Sequence, residues 1–361
     1  MNVVRCPRRI GAKYVSISFD HKEKPKEQEP IPLVYRAFEC ECQSGLAEVL
    51  IFSTYLKFSS VYGLSAHSHE TSICVGPIYG SEKKWLKLIE FIEHYKLIGV
   101  RYFYFTIFNM DEYSRKIMDE YSRTGDIELT VIQSEYKNSD WQFHLLQINE
   151  CHQRSKHHSK WVINVDIDER LVILDENIKT VSELISGYND TVSEVAFSIR
   201  RIQKTGVLPE KYLSDEQIIS EMEFLKYNVS SPVTWGAYKT MYRPERIAAM
   251  YYHWAYQRYP GTTAEYVKSE VALIRHYRTT KENMLGSEWL TDPTYKNFTI
   301  NPENPKFAEK LKLAVLKKVK YVYNQRQLNC EEIAEVPYEE YKEFGHDIFN
   351  CIWRNEISTG I

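Results

Sequence analysis

The sequence predicts an α/β protein built on a mostly parallel, doubly wound sheet flanked by helices, with extensions at both ends. Three observations predict it. Short apolar runs alternate with segments of helical periodicity from residue 72 to residue 165. Each helical segment has the length, roughly ten to eighteen residues, that suits a right-handed crossover between parallel strands. The apolar run Trp161-Val162-Ile163-Asn164-Val165 then ends abruptly in Asp166-Ile167-Asp168-Glu169-Arg170. A buried strand that delivers acidic side chains at its C-terminal end is how open α/β sheets build metal and nucleotide sites.

The elements follow in order. Residues 1–70 form an N-terminal extension. In it, Lys22-Glu23-Lys24-Pro25-Lys26-Glu27-Gln28-Glu29-Pro30 is a charged, proline-bearing linker, and the segment after it through Phe58 alternates enough for strands. Ile73-Cys74-Val75 is a short strand closed by Gly76-Pro77. Ser81 is placed to cap a helix in which Trp85, Leu88, Ile89, Ile92 and Tyr95 recur at helical spacing, and Gly99 ends it. Val100 to Phe108 reads as a strand, Glu112 to Arg123 as a helix stopped by Thr124-Gly125, Ile127 to Ile132 as a strand, and Trp141 to Arg154 as a third helix. Trp161 to Val165 is the next strand. Beyond the acidic triplet come a helix (Thr180 to Ser186), a strand (Val195 to Ile202), a polar acidic stretch, a strand (Trp235 to Tyr242), the aromatic run Tyr251-Tyr252-His253-Trp254-Ala255-Tyr256, and Ala272 to Arg278. The main domain is expected over 71–281. Residues 282–361 form a C-terminal extension with one helix near Phe307 to Tyr323. No internal repeat is present.

Composition narrows the class. A chain of 361 residues, 43% hydrophobic and 26% charged, can bury a sizeable core. The net charge of −3 gives no basic field to recruit nucleic acid. No window reads as a clean transmembrane helix, because Glu48 and Lys57 interrupt the best candidate, Leu46 to Leu64. No signal peptide is evident at the N-terminus. The seven cysteines, at 6, 40, 42, 74, 151, 330 and 351, form no Cys-x-x-Cys, which disfavours a zinc ribbon or thioredoxin-type site. The turn Val75-Gly76-Pro77-Ile78-Tyr79-Gly80 is neither Gly-x-Gly-x-x-Gly nor a Walker A loop, which disfavours a dinucleotide cofactor or an ATP P-loop.

The acidic triplet carries the chemistry. Buried carboxylates need a partner, and oxygen-only ligands suit Mg²⁺ or Mn²⁺. The competing reading is a loop whose Asp caps the next helix. The first strand and its loop are expected beside the triplet, at the C-terminal edge of the sheet.

An ordered set of pieces extends along the chain. It comprises Trp85 with Phe91-Ile92-Glu93-His94-Tyr95, Gly99 with Tyr102-Phe103-Tyr104, Tyr121 with Thr124-Gly125, and Gln147 with Cys151. It continues through Ser159-Lys160-Trp161, Asp166-Ile167-Asp168-Glu169-Arg170-Leu171, Lys239 with Arg243-Pro244-Glu245, His253, and His276-Tyr277-Arg278. Taken together, from Cys74 to Arg278, it resembles glycosyltransferase family 92. The resemblance implies a GT-A-like fold and an enzyme that moves a hexose, galactose in the family's characterised activity, from a UDP-sugar to a glycan or glycoprotein acceptor, with inversion. It implies Mn²⁺, with Mg²⁺ as the substitute, and a place in the secretory pathway, in the Golgi lumen. Membrane association is implied by the resemblance only.

Site residues follow on that basis. Asp168 is the first choice for a metal ligand, and Asp166 binds ribose hydroxyls or coordinates through water. Glu169 either orients the loop or is a surface helix cap. His276 is the late histidine that completes the metal shell by resemblance, with His253 second; the bland reading of each is a buried His on a backbone carbonyl. Lys239 and Arg278 could pair with the donor diphosphate, or lie on a solvated strand face. For the base that takes the acceptor proton, Asp215, Glu221, Glu265 and Glu270 are candidates that spacing does not separate. Trp235, Tyr252, Trp254 and Tyr256 could stack on sugar faces, though such residues are more often core. A haloacid-dehalogenase-type phosphohydrolase also places Asp-x-Asp after a strand, but expects Thr or Val where Glu169 and Arg170 stand. A sugar-binding protein that keeps the fold without catalysis is the other alternative.

Overall fold

A computed structural model describes residues 14–15, 31–32, 67–80, 82–132, 141–204, 206–279 and 299–324. The charged linker, the Leu46 to Leu64 segment, Ser81, Cys6, Cys40, Cys42, Cys330, Cys351 and the Trp235 side chain lie outside the described residues.

Two short strands, β1 (Tyr14–Val15) and β2 (Ile31–Pro32), pair antiparallel. The main body opens with β3 (His69–Val75), α1 (Trp85–Leu97), β4 (Tyr102–Ile107), α2 (Glu112–Arg123), β5 (Ile127–Val131), α3 (Trp141–Ser155) and β6 (Ser159–Val165). This is the alternation expected from the sequence, and β5, β4, β3 and β6 pair side by side, all parallel. Beyond β6 the same sheet becomes mixed. After β7 (Glu169–Ile173), α4 (Val181–Ile185) and β8 (Val192–Lys204) come α5 (Asp215–Glu221), α6 (Glu223–Lys226), β9 (Val229–Ser230) and β10 (Thr234–Tyr242). The chain continues through β11 (Ile247–Met250), β12 (Ala255–Arg258), β13 (Thr263–Val267), β14 (Ala272–Thr279), β15 (Thr299–Ile300) and α7 (Pro305–Tyr323). Strand β10 joins β6 to β8, antiparallel to both. Along its other edge β8 takes β13 and then β14, both parallel, and β7 closes onto β14 antiparallel.

Local chemistry explains the helices. In α1 the buried residues Trp85, Leu88, Ile89, Ile92 and Tyr95 share one face. Its capping residue, Lys84, supplies no side-chain cap, and the Lys84 N–H is instead taken by Ser114 Oγ at 2.9 Å. The helix stops at Gly99, whose φ of +96° is a left-handed turn that glycine enters without a Cβ penalty. Asp111 caps α2 by accepting from the Ser114 N–H at 3.0 Å.

The parallel strands alternate between two cores. Ile73, Val75, Phe103, Phe105, Trp161, Ile163 and Val165 point to the side covered by α1 and α2. Cys74, Tyr104 and Val162 point to the side covered by Ile148 and Cys151 of α3. Each buried aliphatic or aromatic side chain contributes about 1.5–3 kcal/mol. On the α3 side a disulfide joins Cys74 of β3 to Cys151 of α3, with Cα atoms 5.9 Å apart. Helix α7, expected in an extension, packs Leu311, Val315 and Val319 into the same core as α1, and Tyr323 stacks on Tyr113 at 4.2 Å. Among the described residues no helix is long and apolar enough to cross a membrane.

Candidate active site

The acidic triplet does not cap a helix. The chain turns tightly at residues 166–168, with Glu169 N–H donating to the Asp166 carbonyl at 3.0 Å, and enters β7 directly. Glu169 is therefore a strand residue, 1% exposed, and the surface-cap reading does not hold for it. Its carboxylate accepts from the Asp166 N–H at 3.0 Å, which locks the turn. The loop after β3 lies against this turn, as expected. Gly76 N–H donates to the Val165 carbonyl at 2.9 Å, and a Cβ at Gly76 would collide with Asp166 Oδ1.

Strand pairing brings in the distant residues. His276 of β14 is in register with Glu169 of β7. Its ring lies between two carboxylates, Nε2 at 3.5 Å from Asp168 Oδ2 and Nδ1 at 3.5 Å from Glu169 Oε1. Lys239 of β10 reaches Asp166 at 3.0 Å and Glu169 at 2.9 Å. His144 of α3 stands 3.8 Å from Asp166 Oδ1. Arg278, two residues beyond His276, is partly exposed and within electrostatic reach of Tyr79, in the loop after β3.

The electrostatics are those of a compact charge cluster. Burial opposes the charge on Asp168, but His276 outweighs it and holds the carboxyl below its usual range. Burial likewise opposes the charge on Asp166, and Lys239 overcomes it. Glu169 goes the other way: burial pushes its carboxyl up, with Lys239 offsetting only part. Burial disfavours charge on His276, yet Asp168 and Glu169 raise it overall. Lys239 is raised by Asp166 and Glu169 in spite of burial. His253 is brought down to about 4 by burial and by the Lys239 charge. Burial also lowers His144.

The sequence-predicted residues divide accordingly. Asp166, Asp168, Glu169, Lys239 and His276 come together, with His253 close enough to feel Lys239 and Asp166. Lys239 is 2% exposed and engaged with two carboxylates, so it neutralises the cluster rather than facing outward to a diphosphate. The four candidate bases are placed elsewhere. Asp215 pairs with Lys320 at 2.5 Å, Glu221 with Lys226 at 2.7 Å, and Glu270 accepts from Ser269 at 3.2 Å. Glu265 lies on β13, exposed, in register with Val195.

Sequence reasoning did not single out His144, Tyr79 or Lys87. Lys87 of α1 lies 3.6 Å from Glu223 and within electrostatic reach of Asp168. No motif marks these three; only their place beside the turn does.

The donor set fits a hard divalent cation. Two aspartates held ionised lie at one turn with an imidazole beside Asp168, a set of oxygen and nitrogen donors that a divalent cation can use. Among the described residues no three His, Cys, Asp or Glu side chains form a ready-made metal centre. Asp168 and His276 are the pair that could hold an ion whose remaining ligands came from a substrate and water.

A sequence profile described as Glycosyltransferase family 92 matches residues 69–311. No individual curated protein matches the sequence. Among solved structures, S. aureus TarS 1-349 aligns over 76% of this chain and 77% of its own, at 12% identity and a TM-score of 0.32. The mannosyltransferase PcManGT from Pyrobaculum calidifontis, in complex with GDP-Man and Mn2+, aligns over 77% and 79%, at 10% identity and a TM-score of 0.34. TarS 1-349 in complex with UDP-GlcNAc aligns over 76% and 78%, at 10% identity and 0.33. The profile covers two thirds of the sequence and includes every residue of the cluster, so this chain belongs to glycosyltransferase family 92.

Proposed function

We propose that the protein transfers a hexose, galactose by family resemblance, from a UDP-sugar to a hydroxyl of a glycan or glycoprotein acceptor, with inversion and with Mn²⁺ or Mg²⁺. The observation that carries this reading is the meeting of Asp166, Asp168 and Glu169 with His276, brought in by β14 from over a hundred residues away. Asp168 and His276 would hold the cation, and Asp166 would bind the donor ribose or coordinate through water. When bound there, the ion supplies a Lewis acid for the charge that grows on a leaving diphosphate.

The chain's own residues do the positioning. Lys239 keeps Asp166 ionised and ties it to Glu169, and Glu169 fixes the turn through the Asp166 N–H. Arg278, within electrostatic reach of Tyr79, would pair with a phosphate oxygen. Inversion needs a base on the acceptor side. The rings of His144 and His253, beside Asp166 and lowered in pKa by burial, are better candidates for that proton than Asp215, Glu221 and Glu270, which are engaged elsewhere, or the exposed Glu265 of β13. The Cys74–Cys151 disulfide supports an oxidising compartment, in keeping with the Golgi lumen that the resemblance implies.

UDP release from a panel of UDP-sugars, with and without Mn²⁺, tests the reading. Release is expected only with the metal. Asp168→Ala is expected to lower it by at least about 100-fold, the scale of losing a transition-state charge stabiliser. Undiminished release by Asp168→Ala would overturn the assignment.

A further inference from the structure

The transfer site lies on a seam between the two faces of the sheet. Asp168, Glu169 and His276 stand on the α1 side, where Lys87 also reaches Asp168. Asp166 is met from the α3 side by His144. With Asp168 and His276 left for the cation and the donor diphosphate, the α3 side of Asp166 is where we look for the other reactant. The turn between β11 and β12 lies there.

That turn, residues 251–254, is fixed to the sheet beside the site. Asn164 of β6 donates to the Tyr252 carbonyl at 3.0 Å, and Thr240 of β10 donates to the His253 carbonyl at 3.0 Å. The turn closes on itself through Tyr251 N–H to the Trp254 carbonyl at 2.8 Å. Its rings form a continuous aromatic path. Trp254 lies 5.4 Å from Tyr251, Tyr251 4.8 Å from Tyr252, and Tyr252 5.4 Å from His144, which is itself 3.8 Å from Asp166. The outer end of this path is open: Trp254 is 43% exposed and Tyr251 37%. Core aromatics are buried, whereas these two sit on a turn tied to the sheet by backbone bonds and keep a substantial part of their surface in water. A preorganised, solvent-facing ring that leads to a reaction centre matches the apolar C–H face of a pyranose.

We propose that Trp254 and Tyr251 form an outer subsite that holds a sugar of the acceptor glycan, stacking on its C–H face while the reacting end of the glycan continues along the aromatic path toward Asp166. The occupant is a neutral pyranose of a glycan. The proposal rests on the transferase reading for its direction of approach, but its central contact can be measured without turnover.

Two measurements test it. In saturation-transfer NMR, N-glycans released from a secreted glycoprotein should receive magnetisation from the aromatic protons of the wild-type protein with no donor present. Trp254→Ala should lose that transfer, and Trp254→Phe should keep most of it. In the UDP-release assay with the same glycans as acceptors, Trp254→Ala should raise the acceptor KM by about tenfold, with the donor KM shifting far less. An unchanged melting temperature shows that the variant folds. No glycan contact in the wild type, an equal loss in Trp254→Phe and Trp254→Ala, or a rise in the donor KM rather than the acceptor KM would each overturn the subsite. Glycan contact through Trp254 in a protein that releases no UDP would sink the transferase reading and leave the subsite standing.

Discussion

Gly76 is bare because Asp166 fills the space where its Cβ would be. The obstructing atom is the tip of a side chain that is 34% exposed and can swing aside. Gly76→Ala should therefore leave the melting temperature within a few degrees of wild type while displacing Asp166 from Lys239. UDP release is expected to fall by at least about tenfold, since small misplacements of a positioning group are costly. Wild-type kcat in this variant would show that the observed place of Asp166 is not used. The two aspartates were legible in the sequence because an apolar run ending in Asp-x-Asp carries a chemical reason, whereas His276 was reached only through the family resemblance. His144 was not: one histidine on an amphipathic helix has no pattern around it, and only the fold of α3 against β6 brings it to Asp166.

At the scale of elements, β7 was missed for a physical reason. Glu169 and Arg170 break the apolar run, so Leu171-Val172-Ile173 reads as the tail of a motif rather than a strand. Both charges are nevertheless buried, Glu169 against Lys239 and Arg170 against Glu303, with the Arg170 guanidinium 4.4 Å over the Phe224 ring. Charge pairing across distant elements replaced the hydrophobic alternation that strand reading depends on. The Cys74–Cys151 bond was unreadable for a similar reason. Seven cysteines allow many pairings, and spacing selects none. The bond closes a loop of 77 residues between β3 and α3, so replacing both cysteines with serine should cost about 4 kcal/mol. Urea unfolding of Cys74→Ser/Cys151→Ser against wild type measures this, and an unchanged midpoint would refute it.

Across the whole molecule, the alternating first half was legible because each crossover there is local in sequence. In the second half the strands near 195–202, 235–242 and 272–278 were read but their partners were not, since β8 finds β10, β13 and β14 only through long-range pairing. Its stability also has a pH signature. His94 of α1 is 1% exposed, donates to the Leu171 carbonyl at 2.8 Å, and packs against Phe307 at 5.1 Å. Burial, and then the Arg170 charge, hold its pKa well below 6.5. The unfolded chain binds a proton near that value and the folded chain does not, so this group lowers stability as pH falls below about 6.5. In His94→Gln, which keeps an amide donor, the decline in unfolding free energy between pH 6.5 and 5 should be shallower by up to about 1.4 kcal/mol per pH unit. Equal slopes in the two proteins would refute the assignment.

The pairing of β7 with β14 also bears on how the protein is made. A nascent chain emerges from the N-terminus at about 5–20 residues per second. The parallel half, β3 to β6, can assemble as soon as residue 165 is clear. Lys239 and His276 are translated much later, so for some seconds Asp166, Asp168 and Glu169 stand at the end of a formed strand without their cationic neighbours. Strand β14 thus completes the charge cluster and, with Lys239 of β10, relieves its uncompensated charge, and vectorial synthesis makes it dock well after the parallel half.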